Sequence, residues 1–301
     1  MVSSSALGTI NDHRSCLSEP AIFRLAVTTD APLRFETLGG ARVLRAGRLL
    51  ESGTARPREL MLAILARRGL PISHLEVCDA LWPDAEGDAA RRAFDTTLHR
   101  LRHWLEVPNA ISLSQGQLSL DFQHCTLDVR ELERILDARN TEPASAGVDA
   151  LTTHYRGRFL PELGLWPDAA RYRDRLHDRV LCYLERAGAA LERSQHFAEA
   201  RELYRSALRI DDEQERFYQG LMRCAGECDR PAEVMSTLRR CVGVLRERLG
   251  SRASSETLAL ASRYGASPRM PSPLMACPGP PRAVQAASNP SVINARSFIE
   301  T

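Results

Sequence analysis

The chain has 301 residues, 44% hydrophobic and 26% charged, with a formal net charge of +2. That length suits about two globular domains, and so balanced a charge excludes a uniformly basic coat for nucleic acid or anionic membrane. All 40 basic residues are arginine, which excludes a Walker A phosphate loop and a lysine Schiff base, since both need lysine.

No run reaches the ~18 apolar residues that a membrane helix requires. The opening MVSSSALGTINDHRS lacks the charged and long apolar regions of a signal peptide. The expectation is a cytoplasmic protein with no membrane contact. The eight cysteines form no Cys-x-x-Cys pair and read as reduced thiols.

Residues 1–31 are rich in Ser and Thr without periodicity, and read as disordered apart from a short strand at Phe23–Val27. From Leu33 the chain alternates through LRFETLGG and ARVLRAGRLL, which predicts short strands turning at Gly39-Gly40 and near Gly47. RPRELMLAILARRG predicts a helix. Pro57 suits its first turn, Gly69 its end, and Leu60, Ile64 and Leu65 its buried face. Ser73 is placed to cap SHLEVCDALW, with Glu76 as the capping-box partner, and that helix ends at Trp82-Pro83. The acidic loop DAEGD (Asp84–Asp88) follows.

Ala89–Leu105, AARRAFDTTLHRLRHWL, predicts one amphipathic helix. Phe94, Leu98, Leu101 and Leu105 recur at i, i+4, i+7 and i+11, an apolar stripe. Arg92, Thr96, His99, Arg100 and His103 fall on the opposite side, with Asp95 and Arg102 on the flanks. A helix with a buried back and such a front can enter the DNA major groove and read base edges. A solvated surface helix has the same pattern. Over 33–127 there are 12 Arg against 11 Asp and Glu, a net of +1, whereas 89–105 alone holds four Arg against Asp95, a net of +3. ISLSQGQLSLD then predicts a β-hairpin turning at Gln115-Gly116.

Sheet, three helices and hairpin make a winged helix, an α+β unit. The segment 33–127 resembles the OmpR/PhoB-type DNA-binding domain. Its third-helix pattern stands here as Arg92, Asp95, Leu98, Leu101 and Arg102, preceded by Leu81-Trp82-Pro83-Asp84. The groove-facing candidates are therefore Arg92, Thr96, His99, Arg100 and His103. The wing tip lacks the basic residue common in that family, leaving Gln115 and Gln117 for sugar and phosphate. Arg56 and Arg58, at the start of the first helix, are further phosphate candidates. The resemblance also implies that the loop carrying Asp84, Glu86 and Asp88 can face RNA polymerase; its acidic residues equally suit the positive end of the next helix.

From about Asp128 the chain reads as helical, with a break at Asn140–Asp149. Shifted by 34 residues it matches itself: Leu184 on Tyr218, Ala187 on Leu221, Ala190 on Cys224, Ala198 on Ala232, Ala200 on Val234, Leu203 on Thr237, Tyr204 on Leu238 and Ala207 on Cys241. That period is the signature of tetratricopeptide-like (TPR-like) helical repeats, which bury their faces by stacking. Tyr155, Gly157, Phe159, Leu160, Trp166 and Arg171, then Glu215, Tyr218, Leu221 and Met222, then Leu249-Gly250 and Glu256-Thr257, resemble the bacterial transcriptional activator domain. That domain follows an OmpR-type winged helix in the Streptomyces antibiotic regulatory protein family.

The expected organisation is a disordered start (1–31), an OmpR-type winged helix (32–127), an all-α TPR-like activator domain (128–265) and a Pro-rich disordered tail (266–301). The resemblance implies a DNA-binding transcription regulator, most readily an activator, bound to promoter direct repeats as a homodimer. No phosphorylatable receiver segment is recognisable. The alternative is an adaptor whose winged helix has lost DNA affinity. No enzyme motif, cofactor or metal pattern stands out: Cys224, Cys228 and Cys241 could approach one another, but read as buried thiols.

Overall fold

The computed structural model describes residues 33–51, 53–137, 145–162 and 166–265. Both expected disordered ends and the strand at Phe23–Val27 lie outside the described residues.

β1 (Leu33–Glu36) pairs antiparallel with β2 (Arg42–Arg45), and β2 with β3 (Arg48–Leu49). The β2–β3 turn carries positive φ at both Ala46 (46°) and Gly47 (78°), the two-residue geometry that matches strand twist. α1 (Ala55–Ala66) buries Leu60, Met61, Ile64 and Leu65. Gly69 follows at φ 73°, and a Cβ there would stand 2.8 Å from the Phe122 ring. β4 (Ile72–Ser73) leads into α2 (His74–Leu81). Ser73 Oγ accepts from the Leu75 amide at 3.2 Å, but Glu76 pairs with Arg67 instead of closing the capping box.

α3 (Gly87–Leu105) starts two residues earlier than the periodicity indicates. The Glu86 carbonyl already accepts from the Ala89 and Ala90 amides, so the first turn takes in Gly87 and Asp88. The Asp88 carboxylate then sits near the helix's positive end. A short 3-10 turn leads to β5 (Ile111–Ser114) and β6 (Gln117–Leu120), joined by Gln115 (φ 49°) and Gly116 (φ 75°). β4 joins this hairpin, in the order β4-β6-β5. β7 (Cys125–Leu127) runs parallel to β1 and completes the other sheet, β3-β2-β1-β7. The sequence reading contained neither β4 nor β7. Three helices closed by a hairpin, with a small sheet ahead of them, is the arrangement of a winged helix.

The rest of the described chain is mainly helical: α4 (Asp128–Asp137), α5 (Ser145–His154), α6 (Pro167–Arg193), α7 (Phe197–Ile210), α8 (Glu215–Glu227), α9 (Pro231–Leu249) and α10 (Ser255–Gly265). α5 corrects the expected break at Asn140–Asp149: a helix begins at Ser145, and Leu151 within it is fully buried. The segment after α5 is also not helical. It returns to the first sheet, where Leu38 bridges Phe159, the Gly39 amide donates to the Arg158 carbonyl (3.0 Å), and the Leu160 amide donates to the Thr37 carbonyl (2.8 Å). A Cβ on Gly157 would lie 2.9 Å from the Gly39 Cα, so two glycines let the backbones touch.

Asp128 fixes this seam. It is 1% exposed, and its carboxylate accepts from the Thr37 amide (2.8 Å), the Thr37 hydroxyl (2.6 Å) and the Leu38 amide (3.1 Å). Arg156 reaches Glu36 at 2.7 Å and Asp128 at 3.4 Å. One hydrophobic cluster therefore runs from Leu33 through the seam to Leu245. Phe159 and Leu160, in the opening motif of the helical half, are the residues buried at this junction.

Among the helices, residues 34 apart occupy corresponding places in α6 and α8 and in α7 and α9. Leu184 and Tyr218, Ala187 and Leu221, Ala200 and Val234, and Ala207 and Cys241 are all buried. Ala190 is half-buried where Cys224 is fully buried, so that pair does not share a core position. The Tyr204 ring sits where a Cβ on Gly188 or Gly220 would clash, at 2.4 and 2.5 Å. Glu215 accepts from the Ser254 amide at 2.7 Å, and Gln219 donates to the buried Thr257 hydroxyl at 2.9 Å, fastening α8 to α10.

Candidate nucleic-acid interface

The apolar stripe of α3 is its back. Phe94, Leu101 and Leu105 are fully buried and Leu98 nearly so. Arg92, Thr96, His99, Arg100 and His103 are all exposed on the front. The Thr96 hydroxyl donates to the Arg92 carbonyl (2.8 Å). The guanidinium groups of Arg92 and Arg100 have no ion pair among the described residues, while Arg91 is held by Asp95 at 3.0 Å. The helix thus offers two uncommitted guanidinium forks on one face, each able to grip guanine O6 and N7 or a phosphate.

The flanking residues serve the scaffold. Arg102 donates to the Ile111 carbonyl at 2.9 Å and ties α3 to the first strand of the wing. Trp104 donates from its indole N–H to the Glu51 carbonyl at 2.8 Å, and Arg45 pairs with Glu106 just beyond the helix. His74 sits under the wing turn: its amide donates to the Gly116 carbonyl (2.9 Å) and its Nδ1 lies 3.0 Å from the same oxygen. The residue pattern marked Arg102 only as flanking, and nothing local marked His74. Both roles need the hairpin folded back against the helices.

Gln115 and Gln117 are exposed at the wing tip. Asp84, Glu86 and Asp88 are exposed beside the start of α3, with Asp88 inside its first turn. The two arginines of α1 are engaged within the chain. Arg56 pairs with Glu59 (2.8 Å) and donates to the Leu81 carbonyl (3.0 Å), and Arg58 pairs with Glu162 (2.8 Å). A phosphate at either would have to displace a carboxylate, an option that α3 does not face.

Among the described residues no group of three or more His, Cys, Asp or Glu side chains is arranged to hold a metal ion. Cys224 and Cys241 are fully buried, and burial pushes both thiols up to about 12. The thiolate is the reactive form. Native protein treated with a thiol reagent near pH 8 is therefore expected to label at exposed Cys182, and at Cys224 and Cys241 only after unfolding. Peptide mapping checks the sites; rapid native labelling of Cys224 would contradict the packing.

A winged-helix arrangement joined through a tight seam to a helical body defines the fold class. The model of the bacterial transcriptional activator domain matches residues 120–263, a little under half of the chain, so this segment is similar to that domain. The chain is 31% identical over 160 residues to the regulatory protein AfsR of Streptomyces griseus, covering 53% of this chain and 16% of that one. To AfsR of Streptomyces coelicolor it is 31% identical over 134 residues, covering 44% of this chain and 13% of the relative. The chain thus spans less than a fifth of these relatives. Among solved structures, Mycobacterium tuberculosis EmbR in complex with a low affinity phosphopeptide superposes with a TM-score of 0.54 at 19% identity. The match covers 77% of this chain and 65% of EmbR, a likeness of fold.

Proposed function

We propose that the chain is a sequence-specific DNA-binding regulator that activates transcription, with α3 as its recognition helix. One observation carries this reading: five exposed polar residues, two of them arginines with no ion pair among the described residues, line the face of α3 opposite a dry core stripe. Arg92 and Arg100 hold base edges or phosphates. Thr96, His99 and His103 complete the groove face, and Gln115 and Gln117 meet the sugar-phosphate backbone. Arg56 and Arg58 are secondary phosphate contacts, reached only by exchanging partners.

In this reading residues 32–127 form an OmpR-type winged helix and 128–265 a TPR-like activator domain. Four of the eight pairs 34 residues apart are buried on both sides, which supports the repeat. Two protomers sit side by side on direct repeats, and the loop with Asp84, Glu86 and Asp88 presents acid to a basic surface of RNA polymerase. A specific observation also favours the adaptor reading, namely a wing tip without a basic residue on a domain of net charge +1.

Fluorescence anisotropy on duplexes from upstream of the protein's own gene separates the two. A DNA reader binds at low salt and loses affinity as salt rises, log K falling with a slope of about −0.9 per phosphate neutralised. An adaptor shows no binding at low salt.

A further inference from the structure

Away from α3, a cavity of about 380 Å³ lies between the segment that follows α5 and the helices α6 and α7. Its lining includes Arg158, Arg209, Thr152, Ser206 and Tyr155, and contains no carboxylate. Arg209 is exposed and donates to Ser206 Oγ at 2.6 Å, and half-exposed Arg158 meets the solvent-facing Asp174 at 3.3 Å. Both guanidinium groups are thus held at the mouth by weak partners, because an exposed ion pair contributes little. Arg156 also lines the space, but its guanidinium is committed to Glu36 and Asp128.

The floor is a chain of buried polar groups. The Tyr155 hydroxyl lies 2.7 Å from His177 Nδ1, and His177 Nε2 lies 3.0 Å from Asp211 Oδ2. This chain fixes the tyrosine and histidine rings from behind, so the hydroxyls and guanidinium groups in front are pre-placed. A second hollow of about 480 Å³ shares Thr152 and Ser206 with the first and continues between Val148, Leu191 and Leu203. Asp149, Glu199 and Glu202 also border it. A ligand spanning both is oriented by charge: its anionic head is excluded from the acidic end and drawn to the arginine end, leaving an uncharged body against the leucines.

We propose that this pair of hollows is a binding site for a small phosphate monoester with an apolar body. Arg158 and Arg209 take the phosphoryl group, and Thr152 and Ser206 mark the passage between head and body. A doubly charged phosphoryl group suits two guanidinium forks, each with parallel N–H donors. The combined space lies in the range of small-molecule sites. The site stands apart from the DNA reading and does not depend on it.

Titration calorimetry on the full chain with phenyl phosphate tests this, with phenol as the control. Saturable binding in about the millimolar range or tighter is expected for phenyl phosphate and not for phenol. The double variant Arg158→Ala/Arg209→Ala is expected to weaken it at least about tenfold, with an unchanged melting temperature because neither side chain is buried. Arg92→Ala/Arg100→Ala is expected to leave it unchanged. No saturation by phenyl phosphate, equal binding of phenol, undiminished binding in the Arg158/Arg209 variant, or loss in the Arg92/Arg100 variant would each overturn the site.

Discussion

Replacing Arg92 or Arg100 with alanine is expected to weaken promoter binding by roughly five- to 150-fold, about 1–3 kcal/mol, if the residue reads a base. The two arginines differ from nine of the other ten of residues 33–127 in what they face; the tenth, Arg48, lies on the short strand β3, away from α3. Arg34, Arg42, Arg45, Arg56, Arg58, Arg67, Arg68 and Arg91 each pair with an acidic side chain, and Arg102 donates to the Ile111 carbonyl. Arg92 and Arg100 can give their donors to DNA without breaking anything. Anisotropy separates the roles. A base reader loses discrimination between its site and a scrambled duplex. A phosphate contact loses affinity on both and lowers the salt slope by about one. Full affinity and full discrimination in both variants would remove α3 as the reading element. Arg91→Ala serves as the control, since its partner is Asp95 on the same helix, and an exposed pair of that kind contributes only about 0.3–0.5 kcal/mol.

Asp128→Ala is expected to cost about 3–5 kcal/mol of stability, read as a lower urea midpoint. The carboxylate takes three donors from Thr37 and Leu38 in a seam from which water is excluded. Without it those buried donors lose their acceptor and Arg156 loses one of its two carboxylates, and a buried partner removed from one side costs that much. Asp128→Asn keeps an acceptor oxygen and should recover part of the loss. Because one hydrophobic cluster crosses the seam, the wild-type chain is expected to unfold in a single transition, with the alanine variant separating it into two. A loss under about 1 kcal/mol with a single transition would show that Phe159 and Leu160 hold the halves together unaided.

The local signals in the chain held where the structure is local. The apolar spacing of α3 named its buried and exposed faces residue by residue, because helical period alone decides which side chains share a side. The Gln115-Gly116 and Ala46-Gly47 turns were visible for a similar reason, since positive φ is cheap only for a few residue types. The start of α3 was misplaced by two residues because a carbonyl at Glu86, not a side-chain pattern, opens the helix. α5 was missed because its sequence, SAGVDALTTH, is poor in strong helix formers. Its helix rests on Leu151 finding a buried place among its neighbours.

By itself the sequence determined most of the order of elements in the first half, the helical character of most of the second, and which polar residues share the exposed face of α3. These depend on residues close together in the chain and on motifs with fixed spacing. The tertiary structure alone decided which arginines of the first half are taken by acidic partners. Arg58 is taken by Glu162, 104 residues away, a pairing that no local pattern encodes. It also decided that β7 lies parallel to β1, that Gly39 and Gly157 bring the two halves into backbone contact, and that Arg158 and Arg209 share a cavity. Each of these is a long-range closure, fixed by burial of a common core rather than by any preference of the residues that meet there.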